Sequence, residues 1–159
     1  MPCLLTCICI SCRMLTAKVK GCIVFTSSAA AVMPGPFVSL YNSTKAFLSA
    51  FGSSLAAEVK SHGIDVMVFH PSPVASRFTV SADHQIDALD FFNKFAVRPE
   101  SLPDAMFAAV GRCVWRDCGP IALIFRMTSK LVDYNLLAAL TASVAHTMPD
   151  FKRHWDAPH

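Results

Sequence analysis

Three polar side chains in the first part of this 159-residue chain have the types and spacing for proton chemistry at a carbonyl: Ser28, Tyr41 and Lys45. Tyr41 and Lys45 lie four residues apart, so on a helix both project from one face, one turn from each other. An ammonium within a few ångströms of a phenol favours the phenolate. A phenol tuned in this way can deliver or accept a proton at a carbonyl oxygen. The same pair also suits an ordinary solvated helix face, so its meaning depends on the elements that position it.

Gly21 introduces Cys22-Ile23-Val24-Phe25, a short apolar run without alternation, which reads as a strand buried on both faces of a parallel sheet. Small polar residues follow it, then a loop with Pro34-Gly35-Pro36, and a helical pattern from about residue 39 to residue 61. On that helix Phe47, Phe51 and Leu55 form an apolar line, and Ala46, Ser49, Ala50, Ser53 and Ala57 form a small-residue face suited to close packing. Gly63 ends the helix. Ile64-Asp65-Val66-Met67-Val68-Phe69 reads as a second buried strand, stopped by Pro71 and Pro73, so that strand, helix and strand make a right-handed crossover unit. Beyond it the pattern predicts an irregular lid with a short helix over about 86–95. A helix over about 102–116, a short strand within 119–125 and a final helix over about 129–147 complete the reading. Ser28 falls at the carboxyl end of the first strand and residues 71–76 at that of the second, where open α/β sheets bind their ligands.

Ile23-Val24-Phe25-Thr26-Ser27-Ser28, then Tyr41-Asn42-Ser43-Thr44-Lys45-Ala46-Phe47, then His70-Pro71-Ser72-Pro73-Val74-Ala75-Ser76 resemble, in order and spacing, three successive signatures of the short-chain dehydrogenase/reductase family. The thirteen-residue step from Ser28 to Tyr41 resembles the family's serine-to-tyrosine interval and selects Ser28 over Ser27. The resemblance is specific from about Arg13 to Ser76 and vague beyond. It implies an α/β fold, a partial Rossmann-like parallel sheet corresponding to the C-terminal half of the family fold, with an extra C-terminal helix. It implies that Ser28 hydrogen-bonds the substrate oxygen, that Tyr41 is the general acid or base, and that Lys45 tunes Tyr41 and holds the nicotinamide ribose. Pro71, Val74 and Ser76 would complete the cofactor site, although Ser76 equally suits a turn or helix-cap hydroxyl. The cofactor implied is NADP in preference to NAD, and the partner a small hydrophobic carbonyl or alcohol.

Departures from the family pattern bear on activity. The glycine-rich turn that cradles the pyrophosphate is nowhere in this sequence, whose six glycines are scattered, and the asparagine of the family's catalytic tetrad has no match. Ser72 stands where the family usually has glycine, and its β-carbon could crowd the nicotinamide. The expectation is therefore one partial domain over 1–159: a poorly matching segment 1–20, a catalytic core 21–76, a substrate lid 77–98 and C-terminal helices with a strand over 99–159. Its apolar lid residues Phe78, Ile86, Leu89, Phe91, Phe92 and Phe95 suit a steroid or fatty-acyl substrate, or lid packing, and the catalytic segment resembles reductases of long-chain 3-oxoacyl or steroid substrates. The alternative is a truncated, non-catalytic family fragment acting as an interaction protein.

Composition narrows the remaining classes. With 53% hydrophobic and 16% charged residues and a net charge of +3 without a basic cluster, the chain has one domain-sized core and no nucleic-acid footprint. The seven cysteines form no disulfide framework, and Cys9-Ile10-Ser11-Cys12 lacks the second ligand pair of a zinc site, so reduced thiols on a helix or ragged terminus are expected. The six histidines show no ligand spacing. A packed neutral histidine is expected at His70, and packing tryptophans at Trp115 and Trp155. The location expected is cytoplasmic or associated with the endoplasmic reticulum. Family members commonly dimerise through the helix that carries the tyrosine, which implies a homodimer here.

Overall fold

An apolar run bounded by a glycine and a proline occupies the middle of the fold, because its residues cover both of its faces. The computed structural model describes residues 2–75 and 91–151. Its elements follow the order α1 (Pro2–Thr16), β1 (Gly21–Thr26), α2 (Ser39–Val59), β2 (Ile64–Pro71), α3 (Leu102–Phe107), β3 (Trp115–Cys118), α4 (Pro120–Leu131) and α5 (Tyr134–Ala145). Short 3₁₀ turns lie at Ala29–Val32, Lys60–His62 and Pro99–Ser101. The strands form one parallel sheet in the order β1-β2-β3, paired from Gly21↔Ile64 to Thr26↔Phe69 and from Val68↔Trp115 to Pro71↔Cys118. Met67 and Val68 in β2 are completely covered (0% exposed), and each contributes roughly 1.5–3 kcal/mol by leaving water.

β1 departs from the expectation of a strand buried on both faces. Among the described residues it is an edge strand, and only Phe25 of it is buried, while Ile23 and Val24 are half covered. Continuous apolarity therefore marks the core strand β2 correctly and overstates the burial of its neighbour.

α2 forms where the period predicts and crosses from β1 to β2, as parallel pairing requires. Ser49, Gly52, Leu55, Ala56 and Val59 recur at helical spacing and make its inward face. A β-carbon at Gly52 would sit 2.5 Å from a Val68 methyl and 3.0 Å from the Phe25 ring, so glycine here lets the helix lie close on the sheet. The small-residue face is thus divided: Ser49 and Ser53 turn toward the sheet, and Ala50 and Ala57 remain exposed. Gly63 takes the left-handed conformation, φ 75°, that ends the helix as expected.

The cysteine-rich N-terminus is α1, whose Met14 and Leu15 pack on the core of Phe25, Leu55, Ala56, Val59, Ile64, Val66 and Val68. Cys9 and Cys12 are exposed on it. Among the described residues no helix is long and apolar enough to cross a membrane.

The C-terminal third differs from its sequence reading. The helix expected to reach Arg116 stops at Phe107, and Gly111 at φ 74° turns the chain so that Trp115 joins β2. The strand is Trp115–Cys118 rather than within 119–125. Gly119 at φ 91° and Pro120 at the first helical position instead start α4. Asp133 then separates α4 from α5 by accepting the amides of Asn135 (2.9 Å) and Leu136 (3.2 Å).

Candidate active site

The chain leaves β1 through two serines with different tasks. Ser27 continues the ladder, its amide donating to the Phe69 carbonyl at 2.8 Å, and its side chain is buried at 2% exposure. Ser28 is extended, at φ −157° and ψ 154°, so its side chain points to the opposite side. There its Oγ accepts the Ala30 amide at 3.2 Å and caps the turn Ala29–Val32. That bond uses an acceptor site and leaves the hydroxyl proton for a ligand oxygen.

The Ala29–Val32 turn packs against α2 and α4, and Asn42 ties the following loop down by donating to the Met33 carbonyl at 3.0 Å. Phe37 enters the left-handed region at φ 62° just before α2, a costly conformation for an aromatic residue. Tyr41 in the first turns of α2 is 41% exposed, so its ring is presented outward rather than into the core. Lys45, one turn on, places its ammonium 5.7 Å from the centre of the Tyr41 ring and donates to the Thr26 carbonyl at 3.0 Å. Partial burial pushes the Lys45 pKa down.

Pro71 ends β2, two residues beyond the Thr26↔Phe69 pair. Val74 is held by a parallel bridge to Val97, with the Ala75 amide on the Val97 carbonyl (3.1 Å) and the Val97 amide on the Pro73 carbonyl (2.8 Å). Ser76 lies outside the described residues, as do Phe78, Ile86 and Leu89. Of the lid phenylalanines inside them, Phe92 packs edge-on against Phe125 of α4, while Phe91 and Phe95 are exposed. Ser72 is buried at 2% exposure, and its Oγ accepts the Ala122 amide at 2.9 Å. It thereby supplies the cap that Gly119 lacks at the start of α4.

His70 is buried and neutral, as expected of a packed histidine: burial lowers its pKa to about 4. Its Nε2 lies 2.9 Å from Ser49 Oγ, and its ring is 4.5 Å from Trp115. Trp115 is in turn stacked under the Arg126 guanidinium at 3.8 Å, and Arg126 pairs with Asp117 at 3.1 Å. The hydrogen-bonding roles of Ser27, Ser49 and His70 escaped the sequence reading. A polar residue at 49 among inward-facing Gly52, Ala56 and Val59 was the available signal.

Tyr41, Lys45 and the end of β1 therefore meet at the carboxyl edge of the sheet, with Ser28 two residues past the carbonyl that holds Lys45. These residues fit the nicotinamide end of a dinucleotide: an outward phenol, an ammonium beside it and a neighbouring proline strand end. They do not supply the pyrophosphate cradle. The glycines of the chain serve local turns and close packing, as at Gly52 against Val68 and Gly63 beside Lys20.

Residues 3–87, more than half of the chain, match the short chain dehydrogenase family. Over 52 residues the chain is 46% identical to the very-long-chain 3-oxoacyl-CoA reductase of Podospora anserina, covering 33% of this chain and 15% of that protein. It is 34% identical over 85 residues to the mouse very-long-chain 3-oxoacyl-CoA reductase, covering 52% of this chain and 27% of that one. It is 38% identical over 60 residues to mouse 17-beta-hydroxysteroid dehydrogenase type 3, covering 38% and 20%. Among solved structures, one from a study of 7beta-hydroxysteroid dehydrogenase stereoselectivity superposes with a TM-score of 0.69 at 19% identity, covering 87% of this chain and 54% of that chain. A short chain dehydrogenase from Burkholderia cenocepacia in complex with NADP gives 0.64 at 18% identity, covering 82% and 50%. The chain thus matches under a third of these curated relatives and about half of these solved chains, whose low identities speak for the fold.

Proposed function

Because this chain belongs to the short chain dehydrogenase family, we propose that its residues 21–76 form the proton-transfer half of a nicotinamide-dependent oxidoreductase site. The reaction is the interconversion of a carbonyl and an alcohol on an apolar substrate. The observation that carries this reading is the Lys45 ammonium, anchored on the Thr26 carbonyl and set beside the outward ring of Tyr41.

In the reducing direction, Ser28 donates a hydrogen bond to the substrate carbonyl oxygen and Tyr41 delivers its phenolic proton there. Lys45 stabilises the phenolate left behind and would hold the hydroxyls of the nicotinamide ribose, and Pro71, Val74 and Ser76 are the residues that would receive the nicotinamide ring. The nicotinamide, when bound, supplies the hydride. In the oxidising direction the same groups take the proton back. The cofactor is NAD or NADP, with NADP preferred. Exposed Phe91 and Phe95, near the packed Phe92, offer an apolar surface for a fatty-acyl or steroid substrate.

The test is a chimera in which residues 21–76 replace the corresponding segment of the mouse very-long-chain 3-oxoacyl-CoA reductase. It is expected to reduce a 3-oxoacyl thioester, and Tyr41→Phe should lower kcat/KM by about 10²–10⁴-fold. A chimera that binds cofactor normally yet is inert, or one indifferent to Tyr41→Phe, rejects the assignment.

A further inference from the structure

Three polar side chains that the proposed reaction does not touch are buried between β1, α2 and β2; two of them meet on one carbonyl and the third bonds to one of those two. Ser27 and Ser49 are 2% exposed and His70 is 1% exposed. Ser27 Oγ donates to the carbonyl of Lys45 at 2.8 Å. Ser49 Oγ stands 2.9 Å from that same carbonyl, 2.8 Å from Ser27 Oγ and 2.9 Å from His70 Nε2. A hydrophobic residue would fill these positions without desolvating a polar group, so the hydroxyls and the imidazole need a reason to be there. The acceptor at the centre of the cluster is the backbone of the residue whose ammonium grips the Thr26 carbonyl.

The bond between Nε2 and Ser49 orients His70, and charged groups lie on its other side. Its Nδ1 faces Asp117 Oδ1 of β3 at 3.9 Å, and Asp117 is itself held by Arg126 of α4. Because the single Ser49 hydroxyl proton goes to the Lys45 carbonyl, the imidazole proton sits on Nε2 and is donated to Ser49 Oγ.

We propose that His70 is a positioning residue for Lys45, acting through Ser49 and Ser27. His70 fixes the Ser49 hydroxyl, Ser49 and Ser27 clamp the Lys45 carbonyl to the end of β1, and the first turns of α2 are thereby kept where Lys45 reaches Thr26. The inference rests on the reading of Lys45 as a catalytic group, and it assigns the neighbouring serines separate work: Ser27 holds the lysine and Ser28 meets the substrate.

The test follows the Lys45 side chain directly, by carbon-13 resonance of lysine Cε against pH in the folded chain, with Lys45→Arg giving the assignment. Burial sets Lys45 below the ordinary lysine range. Ser27→Ala, Ser49→Ala and His70→Leu are expected to move its titration up toward that of the solvent-exposed lysines. His70→Gln, which keeps an N–H donor near the Nε2 position, should leave it in place. An unmoved Lys45 in the folded serine-to-alanine variants overturns the proposal even where His70→Leu does not fold. Equal shifts in the Gln and Leu variants overturn it too, since they would mean that His70 acts by packing. The readout needs no turnover, so its failure is distinct from failure of the chimera.

Discussion

At the residue scale, burial decides what each ionisable group can do. Desolvation carries the His70 pKa from 6.5 down to about 4, with the Asp117 carboxylate opposing that shift and Arg126 adding to it. Unfolding releases His70 to its ordinary value, so between those limits the unfolded chain binds more protons than the folded one and stability rises with pH. The contribution is fully present above pH 6.5 and is lost as pH falls toward 4. Its size is roughly 2 kcal/mol between pH 7 and pH 5. Denaturant unfolding at those two pH values should show this loss, and His70→Gln should remove most of it; an identical loss in the variant would place its origin elsewhere. The same desolvation at Lys45 lowers its pKa.

At the element scale, the start of α4 depends on a residue borrowed from the loop after β2. Gly119, at φ 91° and ψ 166°, sits where a β-carbon would lie 2.6 Å from Ser72 Oγ and 2.6 Å from a Val97 methyl. Gly119→Ala is therefore expected to destabilise the chain by roughly 1–3 kcal/mol from backbone strain alone. Ser72→Gly, which installs the residue usual in the family, should cost about 0.5–2 kcal/mol through loss of the cap on Ala122. Thermal unfolding of both variants measures this; a neutral Ser72→Gly would show that the Ala122 bond contributes nothing. The same bond commits the Ser72 hydroxyl to α4.

At the scale of the whole molecule, the three-stranded sheet of the described residues carries the proposed proton-transfer edge, and the sequence holds no glycine-rich turn to cradle a phosphate. Most dinucleotide affinity comes from the pyrophosphate on a helix N-terminus and glycine-rich turn, and from the adenosine half. This chain by itself is thus expected to bind NADPH no better than reduced nicotinamide mononucleotide, both weakly, by calorimetric titration. Micromolar NADPH affinity would mean that other residues build the cradle. The exposed strip of α2 that includes Phe47, Ala50 and Ala57 is the surface proposed for a homodimer. Sedimentation at rising concentration tests it, and a folded monomer throughout would rule it out.

The sequence alone determined the parts of this protein that depend on short-range spacing. Tyr41 and Lys45 share a face because four residues make about one helical turn, α2 ends at Gly63 because the chain there needs a left-handed residue, and β2 is a buried strand because its run is almost wholly apolar. Tertiary structure decided whatever depends on partners distant in the chain. It made β1 an edge strand, drew Trp115 into the sheet, turned Ser49 inward onto His70 and gave Ser72 to α4. A residue's type limits which bonds it can make, but the choice among them belongs to the groups that folding brings within about 3 Å, and no local pattern contains those groups.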